Sequence, residues 1–398
     1  MSAVRRVLAV TLLSLLFTAC SGSASPTKNA APTAHHLGGV NCTTVVAGAP
    51  KLDGVKTTVV SVRGHPFGVV STANHALSFV SLDSSLAVLR SRSSPPVLDH
   101  QASVPDHPYG ETLTHDHRYL LAANGNSGAV VLDVGRVETN APNSVVGTLT
   151  AGSGGGAIEV AVSPDDHYAF VTLESNAEMA VFDLNEALTQ GFGPQDLVGS
   201  VPLGAAPVGM AVSPDGKWLY ATSEAESGQR AGVGRGQSLG TLSVIDLGRA
   251  ETDPKASVVS TVTAGCSPVR VVVSSNGQTV WVTARGSDAL LAFSAASLRS
   301  DPTHALIAEV RVGAAPVGLA LVNGDSRIVV ADSNRFGAGT TADLTVVNVT
   351  DALAHKPALL GRIPAGRFPR EMNVAGNTLL VTNYASGQVE AVDLRTLP

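Results

Sequence analysis

The 398-residue sequence is poor in three kinds of residue that mark common classes of protein. Aromatic residues make up 4% of it, which disfavours a lectin-like face that stacks sugars on rings. Charged residues make up 15%, and the net charge of −6 excludes the basic footprint of a nucleic-acid-binding protein. The three cysteines show no CxxC or CxxCH spacing, which excludes a zinc site built on them and covalent c-type haem.

Several enzymatic and helical signatures are also missing. No GxSxG motif indicates a serine nucleophile. The glycine-rich GVGRG at 232–236 is not followed by a helix that could receive a pyrophosphate, so it is not a dinucleotide fingerprint. No long pattern of helical period separates the strand-like segments, which excludes a Rossmann fold or an α/β barrel.

The sequence instead repeats one pattern seven times. In its clearest copy, PVGMAVSPDGKWLYATSE at 207–224, alternating apolar residues predict a strand, a tight turn and a returning strand. GTLSVIDL at 240–247 predicts a third strand, and the apolar residues from Val258 to Val262 predict a fourth. The turn suits type I geometry, with Gly216 at positive φ. Its seven copies are TANH (72–75), THDH (114–117), SPDD (163–166), SPDG (213–216), SSNG (274–277), VNGD (322–325) and VAGN (374–377).

Seven copies of about fifty residues, each with four strands, predict an all-β fold, the seven-bladed β-propeller. The last copy has room for only three strands before Pro398, while an unassigned strand at 56–62 precedes the first copy. We therefore expect this N-terminal strand to complete the last blade and close the ring, which removes open sheet edges. The predicted organisation is a signal peptide at 1–19, an envelope tether at 20–55 and the propeller at 56–398.

The N-terminal residues predict export. Arg5 and Arg6 precede an apolar run at 7–17 that is too short to span a membrane stably. The FTAC at 17–20 resembles a bacterial lipobox, which implies a lipidated Cys20 and a position on the extracytoplasmic side of a bacterial membrane. The alternative is ordinary cleavage nearby and a freely secreted product.

Cys42 and Cys266 remain once Cys20 is set aside. An isolated pair outside the cytoplasm favours a disulfide, so we predict that they are linked. The alternative is a pair of unlinked thiols.

The second strand of the repeat carries a family resemblance. Its residues are LYAT (219–222), AFVT (169–172), VWVT (280–283) and LVTN (380–383). Together with the SPDG turn and VIDL strand, they resemble the YVTN-type β-propeller repeat over about residues 56–396. The resemblance implies the fold and leaves function open, because related propellers include surface-layer-like proteins, lactonases, streptogramin lyases and haem or quinone enzymes.

One position on the innermost strands departs from the repeat. It lies two residues after the repeat proline and is glycine in four copies, but Glu159, Arg270 and Glu371 occupy it in blades three, five and seven. Ring symmetry directs these charges towards one central mouth. Since buried charges are costly unless paired, they form either a salt-bridge cluster or a ligand site, and they are our candidate catalytic residues.

An arginine-rich sector is expected on the same face. Long loops at 223–238 in blade four and 332–341 in blade six bring arginines above blades four to seven. Guanidinium groups suit carboxylate or phosphate ligands. The alternative is solvated loop charge, partly balanced by Glu224, Glu226 and Asp332. The candidate ligand-binding residues are Arg230, Arg235, Arg270, Arg285, Arg335, Arg367 and Arg370.

His65 and His107 precede the repeat prolines of adjacent blades, and Glu111 lies just below. Two histidines and a carboxylate can bind a divalent metal. By resemblance, lactonase and lyase propellers use metal or His/Glu chemistry near this mouth. The alternative is loop histidines that cap backbone groups, and we predict no other cofactor.

These patterns support two functional hypotheses. The first is a lipid-anchored binding module that takes a small anionic ligand or an envelope protein on its loop-rich face and binds no nucleic acid. The alternative is a lactonase- or lyase-like enzyme with its site at the channel mouth.

Overall fold

A computed structural model of the chain describes residues 31–39, 41–91, 95–229, 238–337 and 342–398. Within these ranges the strands form seven four-stranded antiparallel sheets. In each sheet, strands that are consecutive in the chain lie side by side, except where the first strand of the chain joins the last blade. The predicted seven-bladed β-propeller is confirmed.

The strands have the following bounds. The chain enters through β1 (Thr57–Ser61). Blade one contains β2 (Val69–Ser71), β3 (Leu77–Ser81), β4 (Ser85–Arg90) and β5 (Val97–Ser103). Blade two contains β6 (Glu111–Leu113), β7 (Tyr119–Ala123), β8 (Gly128–Asp133) and β9 (Val145–Thr150). Blade three contains β10 (Ala157–Val162), β11 (Tyr168–Leu173), β12 (Glu178–Asp183) and β13 (Leu197–Pro202). Blade four contains β14 (Ala205–Val212), β15 (Trp218–Ala225), β16 (Leu239–Asp246) and β17 (Val258–Cys266).

The remaining blades follow the same order. Blade five contains β18 (Pro268–Val273), β19 (Thr279–Ala284), β20 (Ala289–Ser294) and β21 (Leu306–Arg311). Blade six contains β22 (Pro316–Val322), β23 (Arg327–Asp332), β24 (Ala342–Asn348) and β25 (Leu359–Ala365). Blade seven contains β26 (Pro369–Ala375), β27 (Thr378–Asn383) and β28 (Gln388–Asp393). Strand β1 pairs with β28, in a register that runs from Thr57 opposite Val392 to Ser61 opposite Gln388, and so supplies the outer strand of blade seven.

The turn between the first two strands of each blade has the chemistry that the repeat predicts. In blade four, Gly216 has a φ of 69°, a region that glycine enters without steric cost. The Ser213 hydroxyl donates to Asp215 at 2.6 Å and accepts from the Trp218 N–H at 3.0 Å. Hydrogen bonds within the turn therefore stabilise the hairpin independently of its packing against other blades.

Neighbouring blades are joined near the channel by a threonine and a glycine. The hydroxyl of Thr222, in β15, donates to the Val269 carbonyl of the next blade at 2.7 Å. Gly209 lies beside this contact, and a Cβ on it would come within 2.2 Å of the same carbonyl oxygen. The threonine and glycine positions of the repeat are thus explained by the close approach of adjacent inner strands.

Short helices, which the sequence pattern did not predict, connect the third and fourth strands of five blades. They are α1 (Val134–Glu138), α2 (Leu184–Gln190), α3 (Leu247–Ala250), α4 (Ala295–Ser300) and α5 (Val349–Leu353). Each is capped by the last residue of the preceding strand, as when Asp133 accepts from the Arg136 N–H at 2.9 Å. Single 3₁₀ turns lie at Pro194–Asp196, Pro254–Ala256, Arg285–Ser287, Pro302–His304, Tyr384–Ser386 and Leu394–Thr396. No helix in the described ranges is long and apolar enough to cross a bilayer.

The described part of the predicted tether is docked on the ring rather than free. Residues 31–39 and 41–55, which we call the strap, run along the edges of blades four, five and six before β1. The strap begins beside β17, where the His35 N–H donates to the Thr261 carbonyl at 2.8 Å. The predicted linker over 20–55 is thus partly docked, because several backbone groups of residues 31–55 pair with the ring.

The middle of the strap is fixed covalently and by hydrogen bonds. A disulfide links Cys42 to Cys266 at the end of β17. Further along, the Arg362 guanidinium donates to the Ala47 carbonyl, and the Leu52 N–H donates to the Arg362 carbonyl at 2.8 Å. The strap thus tethers three blades to the chain that enters β1.

The hydrophobic core lies between adjacent sheets. Tyr220 of blade four packs with Val271 and Val280 of blade five in one fully buried cluster. Trp281 packs on the other side of blade five against Ile328 of blade six. Each blade thus buries both faces against its neighbours, and this packing fixes the inner strands around the channel.

Candidate functional site

The three charged residues that depart from the glycine repeat meet in the channel, as the symmetry argument predicts. Arg270 Nη2 lies 3.2 Å from Glu159 Oε2 and 2.5 Å from Glu371 Oε1, and Arg270 Nε lies 2.7 Å from Glu371 Oε1. The guanidinium also donates to the Val208 carbonyl. Because strands β10, β18 and β26 supply the three residues, the ion-paired group crosses the channel. We call Glu159, Arg270 and Glu371 the partition.

Burial and mutual charge shift the proton affinities of the partition. Burial raises the pKa of Glu159 to about 7, with the nearby Glu371 adding to the increase and Arg270 opposing it. Burial lowers the pKa of Arg270, but Glu371 and Glu159 outweigh this and raise it above its usual value. The partition therefore holds a permanent cation and a carboxyl group that titrates near neutral pH.

A second group of side chains lies on the loop-rich upper face, which carries the loops that enter the first strands. Arg370 stacks over the ring of Phe67, with its Cζ 3.5 Å from the ring centroid, and lies 5.5 Å and 5.9 Å from the centroids of Phe368 and Tyr384. Arg335 lies 5.0 Å from the centroid of Phe368. We call these five residues the arginine–aromatic mouth.

The positive charge of the mouth is poorly neutralised. Burial lowers the pKa of Arg370 to about 9, and the like charge of Arg270 adds to the decrease. Burial also lowers the pKa of Arg335, with Arg285 contributing. Within the described residues, the Nε–H of Arg370 has no hydrogen-bond partner. An anion in the mouth would relieve this excess of positive charge.

The other predicted arginines divide into three cases. Arg285 is buried and pairs with Glu224 at 2.7 Å, so its charge is already neutralised. Arg367 is exposed and donates to the Ala385 carbonyl at 2.7 Å. Arg230 and Arg235 lie outside the described residues.

The two predicted histidines share a cleft of about 220 Å³ beside the mouth, with Phe67 and Tyr384 in its wall. His65 Nδ1 lies 3.0 Å and 3.1 Å from the two carboxylate oxygens of Asp83, and its ring stacks on Tyr384 at 5.1 Å. His107 Nδ1 donates to the Asp83 carbonyl at 2.6 Å. Both histidines are thus oriented from Nδ1, which directs Nε2 away from Asp83.

Glu111 does not join these histidines. It lies in β6, below the partition, and lines a different cavity. In the described part of the chain, no three histidine, cysteine or acidic side chains are grouped so that they could hold a metal ion. The structure therefore does not assemble the predicted metal site from His65, His107 and Glu111.

The aromatic half of the mouth and the partner of His65 were not predicted from the sequence. Phe67 and Phe368 flank repeat prolines, and Tyr384 follows the LVTN segment, so repeat position could have indicated all three. Asp83 follows the second strand of blade one on the same face. Low overall aromatic content concealed a local concentration of rings.

The ring, its ion-paired channel and the arginine–aromatic mouth together define a seven-bladed β-propeller with charged and aromatic side chains grouped on its upper face. A family model described as "Lactonase, 7-bladed beta-propeller" matches residues 97–335, which is more than half of the chain. The protein therefore belongs to this lactonase family of seven-bladed β-propellers. A comparison with curated protein sequences finds no significant match.

Solved structures with a similar fold come from proteins of diverse function. Hydrazine synthase of Kuenenia stuttgartiensis aligns with a TM-score of 0.63 at 15% identity, covering 88% of this chain and 97% of that chain. The Myceliophteria thermophila Cps50 (Swd1) β-propeller domain aligns with a TM-score of 0.60 at 12% identity, covering 84% and 98%. A chain of a mitotic checkpoint complex gives 0.63 at 13% identity, covering 98% of both chains. At these identities the likeness concerns the fold alone.

Proposed function

We propose that the arginine–aromatic mouth binds a small organic anion that carries a carboxylate or phosphate group. The observation behind the proposal is the state of Arg370, whose guanidinium is stacked on Phe67 at 3.5 Å while its Nε–H has no described hydrogen-bond partner. The stacked ring fixes the plane of the guanidinium, so its N–H groups are pre-organised for a planar anion. Phe368 and Tyr384 would contact the apolar part of the ligand.

Isothermal titration calorimetry with benzoate and with inorganic phosphate tests this proposal. Replacing Arg370 with glutamine should weaken binding of the anion by about tenfold or more, because a buried charge partner is lost. Arg136→Gln is the matched control, since Arg136 is an exposed residue of helix α1 whose guanidinium donates to the Asn143 carbonyl at 2.9 Å. Equal affinities of the wild type and Arg370→Gln for both anions would contradict the proposal.

A second candidate function is the hydrolysis of a cyclic ester at the same mouth. It is supported by membership of the lactonase family and by the His65–Asp83 pair in the adjoining cleft. Asp83 would hold the Nδ1–H tautomer of His65 and stabilise the imidazolium, which leaves Nε2 as a general base facing the cleft.

In this hydrolysis, His65 Nε2 would take a proton from water as the water oxygen bonds to the lactone carbonyl carbon. The carbonyl oxygen becomes an oxyanion, which the guanidinium of Arg370 would stabilise. The ring C–O bond then breaks, and the departing alkoxide takes the proton from His65. The product is a hydroxy acid, whose carboxylate suits the anion site proposed for the mouth.

Proton release from a panel of lactones, followed by pH-stat titration, tests the hydrolysis. His65→Gln should lower kcat by about a hundredfold, the scale of a lost general base. His304→Gln is the control, because His304 forms a similar pair with Asp301 at 2.9 Å far from the mouth. The assignment of His65 would be refuted if both variants kept the activity of the wild type, or if both lost it to the same extent.

We also propose that the protein is lipid-anchored through Cys20 on the extracytoplasmic side of a bacterial membrane. Support comes from the lipobox-like FTAC and from the Cys42–Cys266 disulfide, a bond that persists in oxidising compartments. Labelling of cells with an alkyne fatty acid should mark the wild type and not Cys20→Ala. Equal labelling of the two proteins would contradict the anchor.

A further inference from the structure

The cleft that holds His65 and His107 shares two of its walls with the arginine–aromatic mouth. Its volume is about 220 Å³, and the rings of Phe67 and Tyr384 line it. The same two rings flank Arg370 in the mouth, whose Cζ lies 3.5 Å and 5.9 Å from their centroids. A molecule that lies along these rings can therefore reach the guanidinium at one end and the cleft at the other.

The walls of the cleft favour a small, flat ligand. Its volume is below the range of about 300–1,000 Å³ that is typical of drug-sized ligand sites. Leu82, Pro108 and Tyr109 add to its apolar surface, and Tyr109 packs edge to face on Phe67 with ring centroids 4.6 Å apart. Aromatic rings pack favourably on such walls in stacked or edge-to-face geometry. The cleft thus suits a single aromatic ring.

The two histidines provide the cleft with hydrogen-bond acceptors. His107 Nδ1 lies 2.6 Å from the Asp83 carbonyl oxygen, and a carbonyl can only accept, so the proton of the neutral ring is on Nδ1. The neutral ring then presents Nε2 as an acceptor. The Asp83 carboxylate, 3.0 Å from His65 Nδ1, has the same effect on that ring. Both histidines are exposed, and within the described ranges neither Nε2 atom has a hydrogen-bond partner.

An acceptor at the end of an aromatic cleft selects a ligand group that donates. A hydroxyl group on the ligand ring can donate to Nε2, whereas a methyl group in its place cannot. A site that hydrogen-bonds a hydroxyl group discriminates against the analogue that lacks it. The same ligand needs a carboxylate at its other end to pair with Arg370. These requirements together describe a hydroxylated aromatic acid.

We propose that the mouth and the cleft together bind an aromatic carboxylic acid that carries a hydroxyl group opposite the carboxylate. The carboxylate pairs with Arg370, and the ring packs on Phe67 and Tyr384. The hydroxyl group donates to an Nε2 atom of the pair formed by His65 and His107, which are the specificity-determining residues. This inference rests on the proposed anion site and adds the class of ligand.

Calorimetric titration of the full mature chain with 4-hydroxybenzoate, 4-methylbenzoate and benzoate tests the inference. The methyl group resembles the hydroxyl group in size but cannot donate. The wild type should bind 4-hydroxybenzoate about threefold to tenfold more tightly than 4-methylbenzoate, the scale of one neutral hydrogen bond. The double variant His65→Leu and His107→Leu should bind these two acids equally. It should also keep the affinity of the wild type for benzoate, which shows that the mouth is intact.

The matched control is His115→Leu, which should bind all three acids as the wild type does. His115 forms a similar pair with Asp166 at 2.7 Å, but it lies in the turn between β6 and β7, at the opposite end of β6 from the cleft. If the wild type binds none of the three acids, the anion site and this inference are both overturned. The ligand class alone is overturned if benzoate binds but 4-methylbenzoate matches 4-hydroxybenzoate in affinity, or if the double variant keeps the preference of the wild type.

Discussion

The partition makes the stability of the ring depend on pH in a direction opposite to that of ordinary surface carboxylates. Glu159 has a pKa of about 7 in the folded protein, whereas its ordinary value of 4.5 applies to the unfolded chain. Between these pH values the folded state binds a proton that the unfolded state has lost. The free energy of unfolding must therefore fall as pH rises from about 4.5 through about 7.

Glu159→Gln should remove this contribution, because glutamine mimics the protonated carboxyl group. A tenfold change in proton affinity corresponds to about 1.4 kcal/mol, so the pKa of about 7 in place of 4.5 corresponds to about 3 kcal/mol. We expect the variant and the wild type to have similar stability at about pH 5. At about pH 8 the variant should be more stable by up to about 3 kcal/mol.

Urea unfolding followed by tryptophan fluorescence can measure the difference, since Trp281 is fully buried and reports on the core. Glu138→Gln is the control, because this carboxylate in helix α1 is partly exposed and pairs with Arg90 at 3.1 Å outside the channel, and the variant should keep the pH profile of the wild type. Part of the slope should remain in Glu159→Gln, because burial also raises the pKa of Asp332 to about 7. A variant that retained the entire slope of the wild type would refute the assignment of this titration to the partition.

Two further predictions concern the joints of the ring and its strap. Gly209→Ala places a methyl group 2.2 Å from the Val269 carbonyl oxygen and should lower the free energy of unfolding by about 2–3 kcal/mol. The control is Gly248→Ala in helix α3, where the nearest atom lies 3.9 Å from the added methyl group. This variant should not lower the free energy of unfolding. Equal urea midpoints for the two variants would contradict the close-approach argument. Replacing Cys42 and Cys266 together with serine should lower the free energy of unfolding by about 2–4 kcal/mol, as loss of a long-range cross-link does. An unchanged urea midpoint would show that the hydrogen bonds of the strap are sufficient to hold it.

Most of the fold could be predicted because the repeat encodes local structure that does not depend on distant residues. The SPDG turn, the alternating strands and the threonine of the second strand recur with every blade. The position of Glu159, Arg270 and Glu371 could also be predicted, because equivalent positions of a closed ring converge on its axis. Their ion pairing follows once charges of opposite sign meet in a buried channel.

The strap and the chemistry of the mouth were harder to predict. Nothing in the composition of residues 31–55 distinguishes a docked segment from a tether, because many of its attachments are hydrogen bonds from the ring to the peptide groups of the strap, which any sequence carries. The pairing of His65 with Asp83 depends on how two loops of one blade are placed, and repeat symmetry does not specify it. Glu111 was grouped with the histidines by closeness in sequence, but its strand carries it below the partition.

The Cys42–Cys266 bond also determines how a mechanical load would travel through the molecule. A pull on the N-terminal end of the strap would first peel the short pairing of His35 with β17 and then reach Cys42. There the covalent bond would transmit the force to the junction of blades four and five. Strand β1, which closes the ring by pairing with β28, lies beyond this point in the chain and would not carry the load. The propeller could therefore be pulled from its N-terminus without separating β1 from β28.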